Sequence, residues 1–336
     1  NDTMAIHEDL ILDVNAGVKF LRQQGYDKVV LFGNSGGGAL SAFFQAQAQR
    51  PKGRRLTHTP AGDPTKLNRA DMVPADALIT VSAHRGEGHV LMSSIDASVV
   101  DERDPTQTDS ALDMYNPANG FAPPPLPSHY AADFVQRYRA AQRARVAKLD
   151  AIARSMVEES RHYDKAYAEA PESMDFAARH RLGRLGALER IMVIYRTMAN
   201  LNYTDPHLEP SLRGYGSLLS ERPDLMNFQS TGFARILRPE AWLSTWSALS
   251  SHACTETHLS EIENIPILMV NALKDKEIFP ETDAKPLWNS IRVADKTLFD
   301  IDAQHYFEGE PGQTDAPDVA RLMATVIPWV LERFGH

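Results

Sequence analysis

Apolar positions along the chain repeat with two different spacings. Between Glu8 and Leu21 they fall at Leu10, Val14, Val18 and Leu21, which draws one face of a helix, and Gly25 ends it. Four short stretches are continuously apolar or nearly so: 29–32 (Val-Val-Leu-Phe), 77–83 (Ala-Leu-Ile-Thr-Val-Ser-Ala), 265–270 (Ile-Pro-Ile-Leu-Met-Val) and 296–301 (Lys-Thr-Leu-Phe-Asp-Ile). Such runs predict strands of a parallel sheet, those at 29–32, 77–83 and 265–270 being buried on both faces. A helix is expected from just after Ser35 to about Gln49, where Pro51 stops it, and another from Asp318 to Phe334. Residues 51–76, with Pro60, Gly62, Pro64 and Pro74, read as an irregular connection.

Between the second and third runs the character changes. A proline-rich loop with Asn116-Pro117 and Pro123-Pro124-Pro125 leads into long helical patterns, the first with Phe134, Tyr138, Ala141, Leu149, Ile152 and Met156 on one face. Arg137, Arg139, Arg143 and Lys148 fall largely elsewhere and read as a solvated face. Further helices are expected at 174–200 and 239–250. A crossover between parallel strands needs only about a dozen residues, so a connection this long predicts an inserted helical cap. The expected division is a first part of an α/β core at 1–95, a mostly helical cap at 96–263 and a second part of the core at 264–336. No internal repeat is visible.

Composition narrows the setting. The chain has 336 residues and a formal charge of −9, with few basic clusters, which argues against nucleic-acid or anionic-membrane partners. No run of 18 apolar residues and no signal-peptide pattern in the first twenty residues is present. Cys254 is the single cysteine, so no internal disulfide can form; a structural thiol in a reducing cytoplasm is the expectation.

The stretch that carries chemistry follows the first apolar run. Gly33, Ser35 and Gly37 fit G-x-S-x-G, a sharp strand-to-helix turn that holds a serine hydroxyl clear of its surroundings. Side chains at Gly33 or Gly37 are expected to collide where strand and helix converge. The Gly36 amide is then free to face a developing oxyanion. Neither G-x-x-x-x-G-K nor G-x-G-x-x-G is present, which excludes the usual phosphate-cradling loops.

A serine is a weak nucleophile at neutral pH and needs an imidazole base, which in turn needs an acid to fix its tautomer. Asp275 follows the third apolar run and His305 the fourth, so all three candidates sit after predicted parallel strands, whose ends share one edge of a sheet. His84, Glu87 and His89 follow the second run at the same edge. No third histidine or cysteine stands at a usual metal-binding spacing, so these residues read as pocket lining or loop structure, and neither metal nor cofactor is expected.

With its order of nucleophile, acid and base, the chain resembles the α/β-hydrolase superfamily. The resemblance covers the elbow, the two later strands with their loops, and the final helix. It implies Ser35 as nucleophile, Asp275, before Ile278-Phe279-Pro280, as acid and His305 as base. Glu277 is the nearest rival for the acid, and Asp96 or Asp101 a more distant one. Superfamily members that use an aspartate nucleophile are excluded, because Ser35 holds that position. Members also place several strands before the elbow, with a second oxyanion donor after one of them. Their lack here creates the expectation that upstream residues exist in the natural protein.

The resemblance further implies hydrolysis of a carboxylic ester, thioester or lactone, with a small-molecule acyl substrate as partner. Substrate contacts are expected from Asn34, His84, His89 and the cap, while the oligomeric state stays open, a homo-oligomer included. Gly-Asn-Ser-Gly-Gly-Gly at 33–38 is also similar to the elbow of carbon–carbon hydrolases acting on ring-fission products. A non-catalytic binding module on the same fold is the alternative from another class.

Overall fold

The four apolar runs form a single parallel sheet in this computed structural model, which describes residues 3–309 and 315–335. The strands are β1 (Val30–Asn34), β2 (Ala77–Val81), β3 (Ile267–Ala272) and β4 (Lys296–Ile301), side by side in that order. Asn34 lies opposite Val81, Val81 opposite Val270, and Ala272 opposite Ile301. The carboxyl ends of all four therefore share one edge.

The two central strands read as continuous apolar runs because each face is covered. On one face Leu78, Ile267 and Met269 meet Ala42 and Ala46 of α2 (Gly36–Gln49), Leu259 of α6 (Thr255–Glu261) and Leu287 of α7 (Lys285–Ser290). On the other, Ile79, Val81, Leu268 and Val270 meet Leu322, Val326 and Trp329 of α8 (Pro317–Phe334). Truncating a fully buried residue such as Leu268 to alanine is expected to cost about 2–5 kcal/mol. Burial on both faces fails for β1, an edge strand whose one neighbour among the described residues is β2, where Phe32 is 47% exposed.

Helix α1 (His7–Gln23) packs beside α2 through Ile11 and Val18. Its buried face is turned slightly from the expected one: Leu21 is exposed, and Asn15 replaces an apolar contact by bonding the Asp71 carbonyl and the Val73 amide, at 3.0 and 2.9 Å. Residues 51–76 hold no helix or strand, only a bridge between His58 and Pro64.

The helical insertion lies between β2 and β3. It begins with α3 (Glu87–Ser94), continues through a small hairpin at 99–108, and reaches α4 (Ala132–Ala168), whose stripe of Phe134, Tyr138, Val146, Leu149, Ala153 and Val157 is buried. The helix expected at 174–200 is shorter. The helix here, α5 (Phe176–Gly186), starts at an Asp175 cap and stops at Gly186, after which the bulky run Met192–Val193 pairs as a strand with Ile236–Leu237. At 239–250 only Pro239–Ala241 is α-helical; a wider turn at Trp242–Trp246 follows, with the Trp242 indole donating to Asp150 at 2.7 Å. Cys254 is a free, half-buried thiol. Among the described residues, no helix is long and apolar enough to cross a membrane.

Candidate active site

Ser35 sits between β1 and α2 with φ 54° and ψ −125°, a left-handed conformation that costs a non-glycine residue about 1–3 kcal/mol. The turn is locked from both sides. Ser35 N donates to the Val81 carbonyl at 2.9 Å, and its own carbonyl accepts from Gly38 N at 3.0 Å. A Cβ on Gly33 would lie 2.3 Å from the Gly37 carbonyl oxygen, so glycine is required there. The same expectation fails at Gly37, where a Cβ would meet nothing within 4 Å. The crowded positions are Gly38, whose Cβ would fall 2.7 Å from that of Ala83, and Gly36, whose Cβ would fall 2.8 Å from Glu87 Oε1.

His305 and Asp275 come together at the ends of β4 and β3. His305 Nδ1 donates to Asp275 Oδ2 at 2.6 Å, and both side chains are buried. A carboxylate only accepts, so the proton lies on Nδ1 and the neutral ring leaves Nε2 as the lone-pair nitrogen. Asp275 Oδ1 is held by the amides of Glu277 and Ile278, at 2.8 and 3.0 Å. His305 Nε2 is buried and has no hydrogen-bond partner among the described residues, Ser35 included. Hydrogen bonds of this kind often tighten only in the substrate complex. Asn34 ties the two loops together: its side-chain amide donates to the carbonyls of Val81, at 3.1 Å, and His305, at 3.4 Å.

Of the two histidines after β2, His84 goes to the elbow and His89 does not. His84 Nδ1 accepts from Gly86 N at 3.0 Å, so Nε2 carries the proton of the neutral ring, 3.3 Å from where a Cβ on Gly36 would be. Burial holds its pKa below the ordinary value. Glu87 stands against the start of α2, where the helix dipole favours negative charge. Burial pushes its pKa up, but His7, at 3.3 Å, and His84 outweigh that and hold it down at about 2. His7 responds in the opposite sense: burial disfavours its charged form, yet Glu87 and Glu8 raise its pKa above the usual value. Sequence reading missed His7, because nothing local marks a helix-start histidine as the partner of a residue after β2. His89 faces a separate cleft, with its pKa lowered to about 4 by burial and by Arg85. No cluster of three or more metal-ligating side chains occurs among the described residues.

The rival acids are engaged elsewhere. Glu277 accepts from the Tyr203 hydroxyl at 2.7 Å, and burial raises its pKa well above the carboxylate range. Asp96 pairs with Arg196 at 2.8 Å inside the insertion, and Asp101 accepts from Arg103 N in the hairpin.

A sharp turn bearing Ser35 after one parallel strand, with Asp275 and His305 after the two farthest along the sheet and a helical insertion between, makes an α/β fold arranged as in the α/β-hydrolases. No protein-family model matches the chain, and no curated protein matches it. Among solved structures it is similar to VinJ, at 14% identity over 94% of this chain and 70% of that one, with a TM-score of 0.33. A metagenome-derived lipolytic enzyme, from the pair LipS and LipT, matches at 11% identity, 98% and 75% coverage and a TM-score of 0.37. An alpha/beta fold family hydrolase from Bacillus anthracis str. Sterne matches at 11% identity, 95% and 71% coverage and a TM-score of 0.33. Likenesses this loose carry no functional reading, which has to come from the site itself.

Proposed function

We propose that the chain is a serine hydrolase that cleaves a carboxylic ester, thioester or lactone through an acyl-enzyme on Ser35. The observation that carries this reading is the buried Asp275–His305 hydrogen bond of 2.6 Å, which leaves His305 Nε2 as an unpartnered base at the strand edge that also bears Ser35. In the proposed reaction Nε2 takes the hydroxyl proton as Ser35 Oγ attacks the acyl carbon, and Asp275 stabilises the imidazolium. The Gly36 amide donates to the oxyanion. Collapse expels the alcohol, thiol or ring oxygen with the proton returned by His305, and water then repeats the sequence to release the acid.

No cofactor enters this scheme, and the proposed setting is cytoplasmic with a small-molecule partner, without nucleic acid or membrane. The proposed cap at 96–263 would select the acyl group, and His84 at the elbow would line the substrate pocket. The Asn34 amide, bonded to two backbone carbonyls, serves to tie the elbow to the loop of His305. Turnover of short-chain 4-nitrophenyl esters, absent in Ser35→Ala and exceeding hydrolysis of a vinylogous diketone, is the expected result. Equal ester turnover in Ser35→Ala would refute the assignment.

A further inference from the structure

A second cleft of about 300 Å³ lies between α4, α3 and the loop that follows Asp275, and none of Ser35, Asp275 and His305 lines it. Its charge is unusual for this protein. Most basic side chains of α4 are paired: Arg137 with Asp133, Arg145 with Glu102, Arg161 with Asp63 and Lys165 with Glu169. Lys148 reaches Glu102 and the Val100 carbonyl, and Arg154 donates to the Pro60 carbonyl and to Ser250. Arg139 and Arg143 have no such partner among the described residues. They stand one helical turn apart, and both line the cleft.

The facing wall does not pair with them. Glu277 and Asp283 are the carboxyls of that wall, and neither forms an ion pair with Arg139 or Arg143; burial raises the pKa of both, that of Asp283 to about 7, where it is half ionised at neutral pH. Arg85 is already paired with Glu256, and His89 is neutral at pH 7. Asn202, also in the wall, is buried with its side-chain oxygen unpartnered; turned over, the same amide offers donors. A guanidinium pair with no ion-pair partner, in a cleft of small-molecule size, suits an anion.

We propose that this cleft binds a small organic anion, a carboxylate or phosphate group gripped by Arg139 and Arg143. An occupant would touch the loop that holds Asp275, since the Glu277 amide donates to Asp275 Oδ1. The binding claim does not depend on the hydrolase assignment.

Calorimetric titration of the whole protein with inorganic phosphate and with glutarate, at constant ionic strength, tests it. Saturable binding is expected, weakened at least about tenfold in the double variant Arg139→Gln/Arg143→Gln and unchanged in Arg137→Gln, whose side chain is paired outside the cleft. All these side chains are exposed, so the variants should fold as the parent does. No binding up to roughly 50 mM, or equal weakening in Arg137→Gln, overturns the proposal. Kinetics then separates two sources of the anion. If the substrate carries it, the double variant loses a preference for 4-nitrophenyl hemiglutarate over the butyrate. If it is a free ligand, phosphate changes turnover of the butyrate in the parent and not in the double variant. Absence of all ester turnover would sink the hydrolase reading and leave the calorimetric result standing.

Discussion

His305 donates through Nδ1 to Asp275 at 2.6 Å, and the acid's other oxygen is pinned by two backbone amides of its own loop. The carboxylate therefore fixes both the tautomer and the ring position of His305. Asp275→Asn keeps the shape but allows its NH₂ group to face the ring, which favours the wrong tautomer. The expected outcome is a fall in kcat on the order of 10³- to 10⁴-fold. Circular dichroism should show the fold retained. A loss of less than tenfold would remove Asp275 from the role of acid.

The elbow glycines separate two causes that the G-x-S-x-G pattern runs together. Gly33→Ala would drive a methyl group into the Gly37 carbonyl at 2.3 Å, whereas Gly37→Ala meets open space. The first should destabilise by at least about 2 kcal/mol or abolish folding. The second lies in the first turn of a helix and should be neutral or stabilising by about 0.4–1 kcal/mol. Urea denaturation of the two variants checks both.

Asn34 joins the elbow to the base loop through the His305 carbonyl. Asn34→Ala should let that loop drift and lower kcat by about 10- to 100-fold with KM little changed. A rise in KM at constant kcat would instead mark Asn34 as a substrate contact.

Asp283 gives the protein a pH dependence with a definite sign. Its folded pKa is raised to about 7 by burial, above the ordinary carboxylate value of 3.8, so the folded state holds a proton that the unfolded chain gives up more readily. The contribution is present in full below about pH 4 and is lost as pH rises through 7. Asp283→Asn should match the parent near pH 4 and exceed it at pH 8 by on the order of 1–2 kcal/mol, less than the full shift because the side chain keeps some contact with water. Denaturation midpoints at the two pH values measure this.

The two central strands were legible because strands buried on both faces leave uninterrupted apolar runs, and the edge strand β4, only partly buried, still matches 296–301 residue for residue. That Ser35, Asp275 and His305 lie at one sheet edge was legible for a different reason: parallel strands deliver whatever follows them to one edge. What escaped notice depends on tertiary contact. Phe32 looks like a core residue in sequence and is half exposed on an edge strand. The end of α5 at Gly186 is set by the pairing of Met192–Val193 with a strand more than forty residues away. His7 meets Glu87 only after the fold is made, and Arg139 and Arg143 differ from their neighbours on α4 only in lacking partners.

The central claim, a serine made nucleophilic by His305, is tested most directly with a fluorophosphonate probe and mass spectrometry. Phosphonylation at Ser35 alone is expected in the parent protein, with none in Ser35→Ala and a rate at least about 10²-fold lower in His305→Ala. An unlabelled parent, or labelling that persists in Ser35→Ala, would contradict the account.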